Sequence, residues 1–292
     1  TTPGDDRVTN AQHSPFFQKS AIKATLAAAA LSVVAGGGVA GDVDPDTFGP
    51  KFKGWGTSLA WWANVTGTWS DPAQFDALMD AGYNVDDGLG LTIVRLNIGA
   101  GLNPALPEYR DTLGVEFSSS TPLNEPSAGW WDGNGNQEGC TIPHAAQPGV
   151  LAALRTELDA RGLDDLPISG PEEWSPELGV TGLLQYPQDV LDSLSHISTH
   201  TYNTNHRREL TDLAVVLDKP LWMTESGLGG TDLYDSALGL ARRIIDDFEE
   251  MPHLEAWVIW QVMSTNHFNH TWSCMLATFA TKPPVNPHRP QY

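Results

Sequence analysis

The sequence is poor in cysteine, in charged residues and above all in basic residues. Its 292 residues include two cysteines, and 16 Lys plus Arg against 36 Asp plus Glu give a formal net charge of −20. Nucleic acids and anionic membranes bind clustered Lys and Arg, so we expect neither as a partner. Cys140 and Cys274 allow one disulfide without predicting it, and the sequence contains no zinc-type cluster.

Neither of two common enzyme motifs occurs in the setting that its fold requires, whereas tryptophan is abundant. No Gly-x-Gly-x-x-Gly fingerprint follows an early strand, which argues against a dinucleotide-binding Rossmann fold. No Gly-x-Ser-x-Gly elbow is present, which argues against a serine hydrolase of the α/β-hydrolase type. The eleven tryptophans are compatible with carbohydrate binding, because aromatic faces stack on sugar rings, but tryptophan also fills cores and grooves.

The N-terminal part has the pattern of a secretory signal peptide over residues 19–40. Lys19 and Lys23 precede an apolar run at 24–35, and small residues follow up to position 40. The run is too short to span a bilayer well, so no membrane association is expected after cleavage. Residues 1–18 form an irregular polar extension. The pattern predicts a secreted, extracellular protein, with an Ala-rich helix as the alternative.

Beyond residue 50, short apolar runs alternate with helical patterns. The runs that predict strands are 54–62, 91–98, 117–123, 167–170, 196–202, 221–224 and 256–261. Alternating strands and helices imply parallel strands joined by crossover helices. The predicted fold class is therefore α/β, with a (β/α)8 TIM-type barrel over 41–261 as the nearest closed form and a doubly wound sheet as the alternative. The segment 262–292 has no clear periodicity and is predicted to be irregular.

Two glutamates each follow a predicted strand. Glu125 lies in Asn124-Glu125-Pro126, and Glu225 lies in Thr224-Glu225-Ser226. The carboxyl ends of parallel barrel strands form one face, so both side chains can converge there, although a lone Glu is usually a solvated charge. Glycosidic bond cleavage needs such a pair, in which one carboxyl protonates the leaving oxygen and the other attacks the anomeric carbon or activates water.

Several ordered motifs resemble glycoside hydrolase family 30. They are Gly54-Trp55-Gly56-Thr57-Ser58-Leu59-Ala60-Trp61-Trp62, Asn124-Glu125-Pro126-Ser127-Ala128-Gly129-Trp130-Trp131 with Asn134-Gly135-Asn136-Gln137-Glu138-Gly139-Cys140, His200-Thr201-Tyr202, and Trp222-Met223-Thr224-Glu225-Ser226-Gly227. The segments 124–131 and 134–140 are similar to the endo-β-1,6-galactanase branch of that family. The resemblance extends over roughly residues 50–261.

The resemblance implies a role for each residue that matches a family motif. Glu125 would be the acid/base and Glu225 the nucleophile, with their carboxyls about 5–5.5 Å apart as in retaining enzymes. Substrate-side roles are implied for Asn124, Arg95, Tyr202, His200, Trp62, Trp131 and Trp260. Among these, Arg95 and Tyr202 would hold the nucleophile, His200 would orient a carboxylate or be a core histidine, and the tryptophans would be sugar platforms. No metal or organic cofactor is needed for this chemistry.

The chain departs from the family pattern between its second and fourth strands. Residues 102–116 are too few for a strand and two crossover helices, because one crossover alone takes a dozen or more residues. We therefore expect strand three to be missing. The family's accessory β-sandwich is expected to be missing as well, because the resemblance stops near residue 261. An error in the gene model would explain both. The expected protein is a monomeric, retaining endo-hydrolase of β-1,6-galactan. An inactive or sugar-binding remnant and a hydrolase of xylan or β-1,6-glucan remain the alternatives.

Overall fold

The computed structural model describes residues 49–60, 62–96, 111–131, 139–227, 233–265 and 273–277, without the side chains of 64, 65, 233–236, 264, 265 and 273–277. The chain divides into two units, Thr1–Val39 and Ala40–Tyr292, and every described residue belongs to the second unit. The predicted extension and the signal-like segment lie outside the described residues. Among the described helices, none has the length and apolar character needed to cross a membrane.

Six parallel strands form the main sheet. They are β1 Gly54–Ser58, β2 Ile93–Arg95, β3 Ile168–Glu173, β4 Leu194–His200, β5 Leu221–Ser226 and β6 Leu254–Ile259. Their order across the sheet is β2-β1-β6-β5-β4-β3. Apart from β2 and β3, which lie at opposite edges, strands that are consecutive in sequence are neighbours in the sheet, and β1 pairs with the last strand, for example Trp55 with Trp257. This cyclic order is that of a (β/α)8 barrel and not of a doubly wound sheet.

The barrel order is interrupted between β2 and β3. The prediction of a strand at 117–123 is wrong, because this segment contributes only one isolated parallel bridge, from Ser120 to Ile168. Within the described ranges no strand lies between β2 and this bridge, and 97–110 falls outside them. The arrangement agrees with a barrel that lacks strand three. A segment with a neighbour on one side alone has half the ladder hydrogen bonds of an inner strand, which explains why 117–123 pairs so little.

The prediction that 262–292 is irregular is wrong for part of that segment. Residues Gln261–Thr265 form β7 and residues Ser273–Ala277 form β8, and the two strands pair in parallel as a separate sheet. Val262 and Met263 are buried in a small cluster with Trp62 and Leu78. Tertiary burial of this short apolar stretch, which has no visible periodicity of its own, accounts for the strand.

Seven helices are bounded in the described part of the chain. They are α1 Trp62–Thr66, α2 Pro72–Tyr83, α3 Gln147–Ala160, α4 Pro176–Leu183, α5 Gln188–Ser193, α6 Arg207–Val216 and α7 Leu233–Glu250. Asp71 caps α2, with its carboxylate accepting from the backbone N–H of Ala73, and Pro72 follows at the first helical position. Ser175 caps α4 in the same way.

The main core lies between the sheet and the helices that cover it. Leu151 of α3 and Leu210 of α6 are buried with Ile197, Leu221 and Met223 of the strands. Burial of each such side chain stabilises the fold by roughly 1.5–3 kcal/mol. This packing fixes β3, β4 and β5 side by side, so the polar residues at their carboxyl ends are held on a rigid support.

Candidate active site

The carboxyl ends of neighbouring strands place polar side chains at one edge of the sheet. Glu172 ends β3 with Glu173, His200 is the last residue of β4, and Glu225 precedes the last residue of β5. These four side chains are all nearly or fully buried, at 4% exposure or less. Buried charges of this density need mutual pairing, so the cluster is expected to form a hydrogen-bonded network.

The structure brings the two predicted catalytic glutamates together. Glu125 lies in the loop after Ser120 and is 6% exposed. One of its carboxylate oxygens lies within 4.8 Å of one oxygen of Glu225. The Glu125 backbone has a positive φ of 48°, and its N–H donates to the carbonyl oxygen of Glu172 at 2.7 Å. A non-glycine residue is uncommon in this left-handed region, and such residues cluster at functional sites.

Arg95 and Tyr202 hold the Glu225 carboxylate, in the places that the sequence predicted. The Arg95 guanidinium contacts Glu225 Oε2, and Tyr202 Oη donates to Glu225 Oε1 at 2.9 Å. A second Arg95 nitrogen donates to Asn124 Oδ1 at 2.6 Å. Burial, followed by the charges of Glu225 and Glu125, raises the pKa of the Tyr202 hydroxyl well above its usual value, so it remains a hydrogen-bond donor.

His200 lies between the two candidate catalytic carboxylates. Its Nδ1 is 3.0 Å from Glu125 Oε1 and 3.8 Å from Glu225 Oε1, and its Nε2 is 3.1 Å from Glu172 Oε2. Burial lowers the pKa of this imidazole, but Glu225 and the hydrogen bonds with Glu125 and Glu172 outweigh that effect and raise it to about 10. These contacts favour the imidazolium form of His200.

Glu172 and Glu173 were not among the residues predicted for the site. The predicted strand 167–170 ended too early, since β3 continues through Glu173. Glu173 accepts from the hydroxyl of Ser127 at 2.6 Å and from the amide of Gln147 at 2.8 Å, and these contacts fix the loop that follows Glu125. A Glu-Glu pair at the end of a strand candidate was the signal that could have revealed them.

The three predicted sugar platforms differ in the structure. Trp62 is 3% exposed and its ring nitrogen donates to the Ser58 carbonyl, so the prediction of a platform is wrong for this residue. Trp131 is half-buried, with its ring nitrogen donating to Glu125 O at 2.8 Å and Gly139 directly against its ring. Trp260 is half-buried and directly follows β6.

A half-exposed tryptophan outside the predicted set lies in the loop that carries Glu125. Trp130 is 48% exposed, and its ring centroid is 5.5 Å from that of Trp174 and 6.0 Å from that of Trp131, in edge-to-face contacts. Edge-to-face packing fixes the orientation of a ring. Trp130 therefore offers a rigid aromatic surface on the Glu125 side of the site.

The geometry of the candidate site also bears on metal binding. Atoms of Glu125, His200 and Glu225 lie within 4.8 Å of one another, a spacing that could also admit a metal ion. The contact of Arg95 with Glu225 and the use of both His200 ring nitrogens favour a hydrogen-bonded carboxylate site instead.

Cys140 is exposed and carries a free thiol, and the side chain of Cys274 lies outside the described residues.

Comparisons with known proteins agree with this architecture. No protein-family model matches the chain. An endo-β-1,6-galactanase from Hypocrea rufa is 30% identical over 151 residues, which are 51% of this chain and 30% of that protein. The chain thus spans less than a third of the length of this curated relative.

Solved structures of similar fold cover more of the chain. An endo-β-1,6-glucanase has a TM-score of 0.61 at 16% identity, over 81% of this chain and 74% of its own. The catalytic domain of a GH30 xylanase C from Talaromyces cellulolyticus has a TM-score of 0.57 at 16% identity, over 80% and 73%. The chain is thus similar in sequence, over about half its length, to an endo-β-1,6-galactanase, and similar in fold, over most of its length, to the two glycoside hydrolase structures.

Proposed function

We propose that this protein is a retaining, endo-acting glycoside hydrolase that cleaves β-1,6-galactan. The observation that carries the proposal is the approach of Glu125 and Glu225 to within 4.8 Å at the carboxyl ends of the strands. This separation is closer to the about 5–5.5 Å of retaining enzymes than to the roughly 6.5–9.5 Å of inverting ones, which must fit a water between the carboxyls.

The roles of the two glutamates follow from their surroundings. Glu225 contacts the guanidinium of Arg95 and accepts from Tyr202, both of which favour the carboxylate that must attack the anomeric carbon. Glu125 protonates the leaving oxygen in that step and deprotonates the attacking water in the next. The glycosyl group passes from the leaving oxygen to Glu225 Oε and then to water, with the anomeric configuration inverted twice.

The galactan substrate rests on the similarity to the Hypocrea rufa enzyme, which is an endo-β-1,6-galactanase. The acidic surface charge fits a neutral or weakly charged polymer better than an anionic one. Trp130, beside the acid/base loop, would stack on a sugar on the leaving-group side. A polymeric substrate also suits the secretion expected from residues 19–40, which we propose with it.

The test is hydrolysis of β-1,6-galactan oligosaccharides, followed by proton NMR of the anomeric signals. We expect shorter oligosaccharides whose first-formed anomer is β, and no product from Glu225→Gln. β-1,6-Glucan and xylan serve as parallel substrates, and preferential cleavage of either would move the assignment to that glycan. No product from any of the three, from a folded protein that still binds galactan, would identify a sugar-binding remnant instead.

A further inference from the structure

Glu172 connects the groups that support both candidate catalytic glutamates. Its Oε2 accepts from the hydroxyl of Thr224 at 2.8 Å and lies 3.1 Å from His200 Nε2 and 3.6 Å from an Arg95 nitrogen. Its backbone carbonyl accepts from the Glu125 N–H at 2.7 Å. The residue is 2% exposed and has a positive φ of 58°, a backbone conformation that glutamate rarely adopts.

The imidazole that Glu172 contacts is shared by the catalytic pair. His200 is fully buried, and its Nδ1 faces oxygens of both Glu125 and Glu225 while its Nε2 faces Glu172. The ring nitrogens face two anions, Glu172 at Nε2 and Glu225 at Nδ1, and an imidazole directs a proton toward both only when it is doubly protonated. The geometry therefore favours an imidazolium, with Glu172 as the fixed partner behind it.

We propose that Glu172 is a positioning residue that remains ionised throughout the reaction and holds His200 as an imidazolium between the two catalytic carboxyls. From there the charge of His200 stabilises whichever of the two carboxyls is ionised. This inference rests on the proposed function, because it assigns the origin of the protonation states which that function requires.

Charge balance in the cluster supports the proposal. Before reaction, the cations Arg95 and His200 balance the anions Glu172 and Glu225, and Glu125 carries the proton. As the glycosyl–oxygen bond breaks, the Glu125 proton moves to the leaving oxygen while Glu225 forms the ester and loses its charge. The negative charge has then moved from Glu225 to Glu125, and the cluster remains neutral. Without the charge of Glu172, two cations would instead favour ionisation of both catalytic carboxyls at once.

The remaining titratable groups around the cluster do not disturb this balance. Burial raises the pKa of Glu172, but the hydrogen bond from His200 and the charge of Arg95 outweigh it, and the pKa falls to about 2. Burial lowers the pKa of His196, the other histidine of β4, to about 4, so this imidazole is neutral at neutral pH. Tyr202 is also neutral, since its pKa lies well above the usual value.

The first measurement is the pH dependence of kcat/KM for galactan hydrolysis by the wild type and Glu172→Gln. Glutamine keeps the shape and an acceptor oxygen but removes the charge. The cluster of the variant should lose its first proton more readily. The alkaline limb of the kcat/KM profile should therefore move to lower pH by about one to three units. We expect kcat to be lower and KM to change little. An alkaline limb that stays in place would overturn the proposal, because a merely structural role would not move it.

Glu172→Asp provides the matched control, since it keeps the charge and changes the reach. We expect its alkaline limb to return toward the wild-type position even where kcat is reduced. A limb displaced as far as that of Glu172→Gln would show that geometry, and not charge, is responsible, and would overturn the proposal.

The second measurement does not depend on activity. Nitrogen-15 NMR of the histidine side chains in the ligand-free wild type should show both His200 ring nitrogens protonated at pH 7, with His200→Gln used for assignment. In Glu172→Gln one of these protons should be lost at lower pH than in the wild type. A neutral His200 in the wild type at pH 7 would overturn the proposal even if Glu172→Gln does not fold. An imidazolium in a protein that hydrolyses none of the glycans would contradict the proposed function while leaving the charge assignment to Glu172 and His200 intact.

Discussion

Arg95 donates a hydrogen bond of 2.6 Å to Asn124 across the interruption in the barrel order. Arg95 ends the edge strand β2, and Asn124 follows the single bridge that Ser120 makes at the opposite edge. Backbone ladder bonds do not join these edges among the described residues, yet the side chains of Arg95 and Asn124 join them at the carboxyl ends of the strands. The site is thus held together where the sheet is not.

Substitution of Arg95 tests this connection. Arg95→Lys keeps the charge but loses the planar fork that contacts Glu225 and Asn124 together. We expect kcat/KM to fall by about 10²-fold, in the range of a lost charge-assisted hydrogen bond of roughly 1.5–3 kcal/mol, and the Tm to fall as well. Steady-state kinetics and thermal denaturation measure the two effects. A lysine variant with wild-type kinetics would show that the fork is dispensable.

Tyr202 provides a smaller perturbation of the same carboxylate. Tyr202→Phe removes the hydroxyl that donates to Glu225 Oε1 and leaves the ring. Because a hydrogen bond to a charged acceptor contributes roughly 1.5–3 kcal/mol, kcat should fall by about 10- to 100-fold. Burst kinetics with an aryl galactoside should show a slower formation of the glycosyl-enzyme. Tyr83→Phe, distant in sequence from the site and also a tyrosine, is the control and should leave the rate unchanged.

The free energy of unfolding should depend on pH through the two buried histidines of β4, with opposite signs. The folded-state pKa of His200 is raised to about 10 from 6.5. Its contribution to stability is therefore complete below pH 6.5 and is lost as the pH rises toward 10. The pKa of His196 is lowered to about 4, so its contribution is complete above pH 6.5 and is lost as the pH falls toward 4.

Urea denaturation at a series of pH values separates the two histidines. His200→Gln should reduce the slope of the unfolding free energy above pH 6.5, and His196→Gln should reduce the slope between pH 4 and 6.5. The two residues lie on one strand, so each variant is the matched control for the other. Equal slopes above pH 6.5 in the wild type and His200→Gln would contradict a cationic His200.

Trp130 should affect long substrates more than short ones. Its ring is half exposed and packs against Trp131 in the loop that carries Glu125, which the proposed function places on the leaving-group side. Trp130→Ala should raise KM for galactan oligosaccharides by about tenfold, the equivalent of roughly 1–3 kcal/mol of lost stacking. An aryl galactoside, whose leaving group is small, should be hydrolysed at the wild-type rate. An equal loss on both substrates would indicate damage to the acid/base loop instead.

Local patterns in the sequence determined the parts of this protein that depend on neighbouring residues. The strand-then-glutamate pattern at Glu225 was predicted correctly, and the helix start at Asp71-Pro72 is a signal of the same local kind, because strand period and capping act over a few residues. The alternation of strands and helices gave the barrel order for the same reason. The shortage of residues at 102–116 predicted the interruption through chain length alone.

Tertiary structure alone decided the remaining features. Trp62 became a core residue because Val262 and Met263, which showed no periodicity, fold back onto it as part of β7. Glu172 became the central carboxylate because parallel pairing places the ends of β3, β4 and β5 at one edge, where its partners are residues 28 and 52 positions away. The sequence determines which side chains follow each strand. Contacts over such separations form only once the strands lie side by side, and the pKa values depend on those contacts.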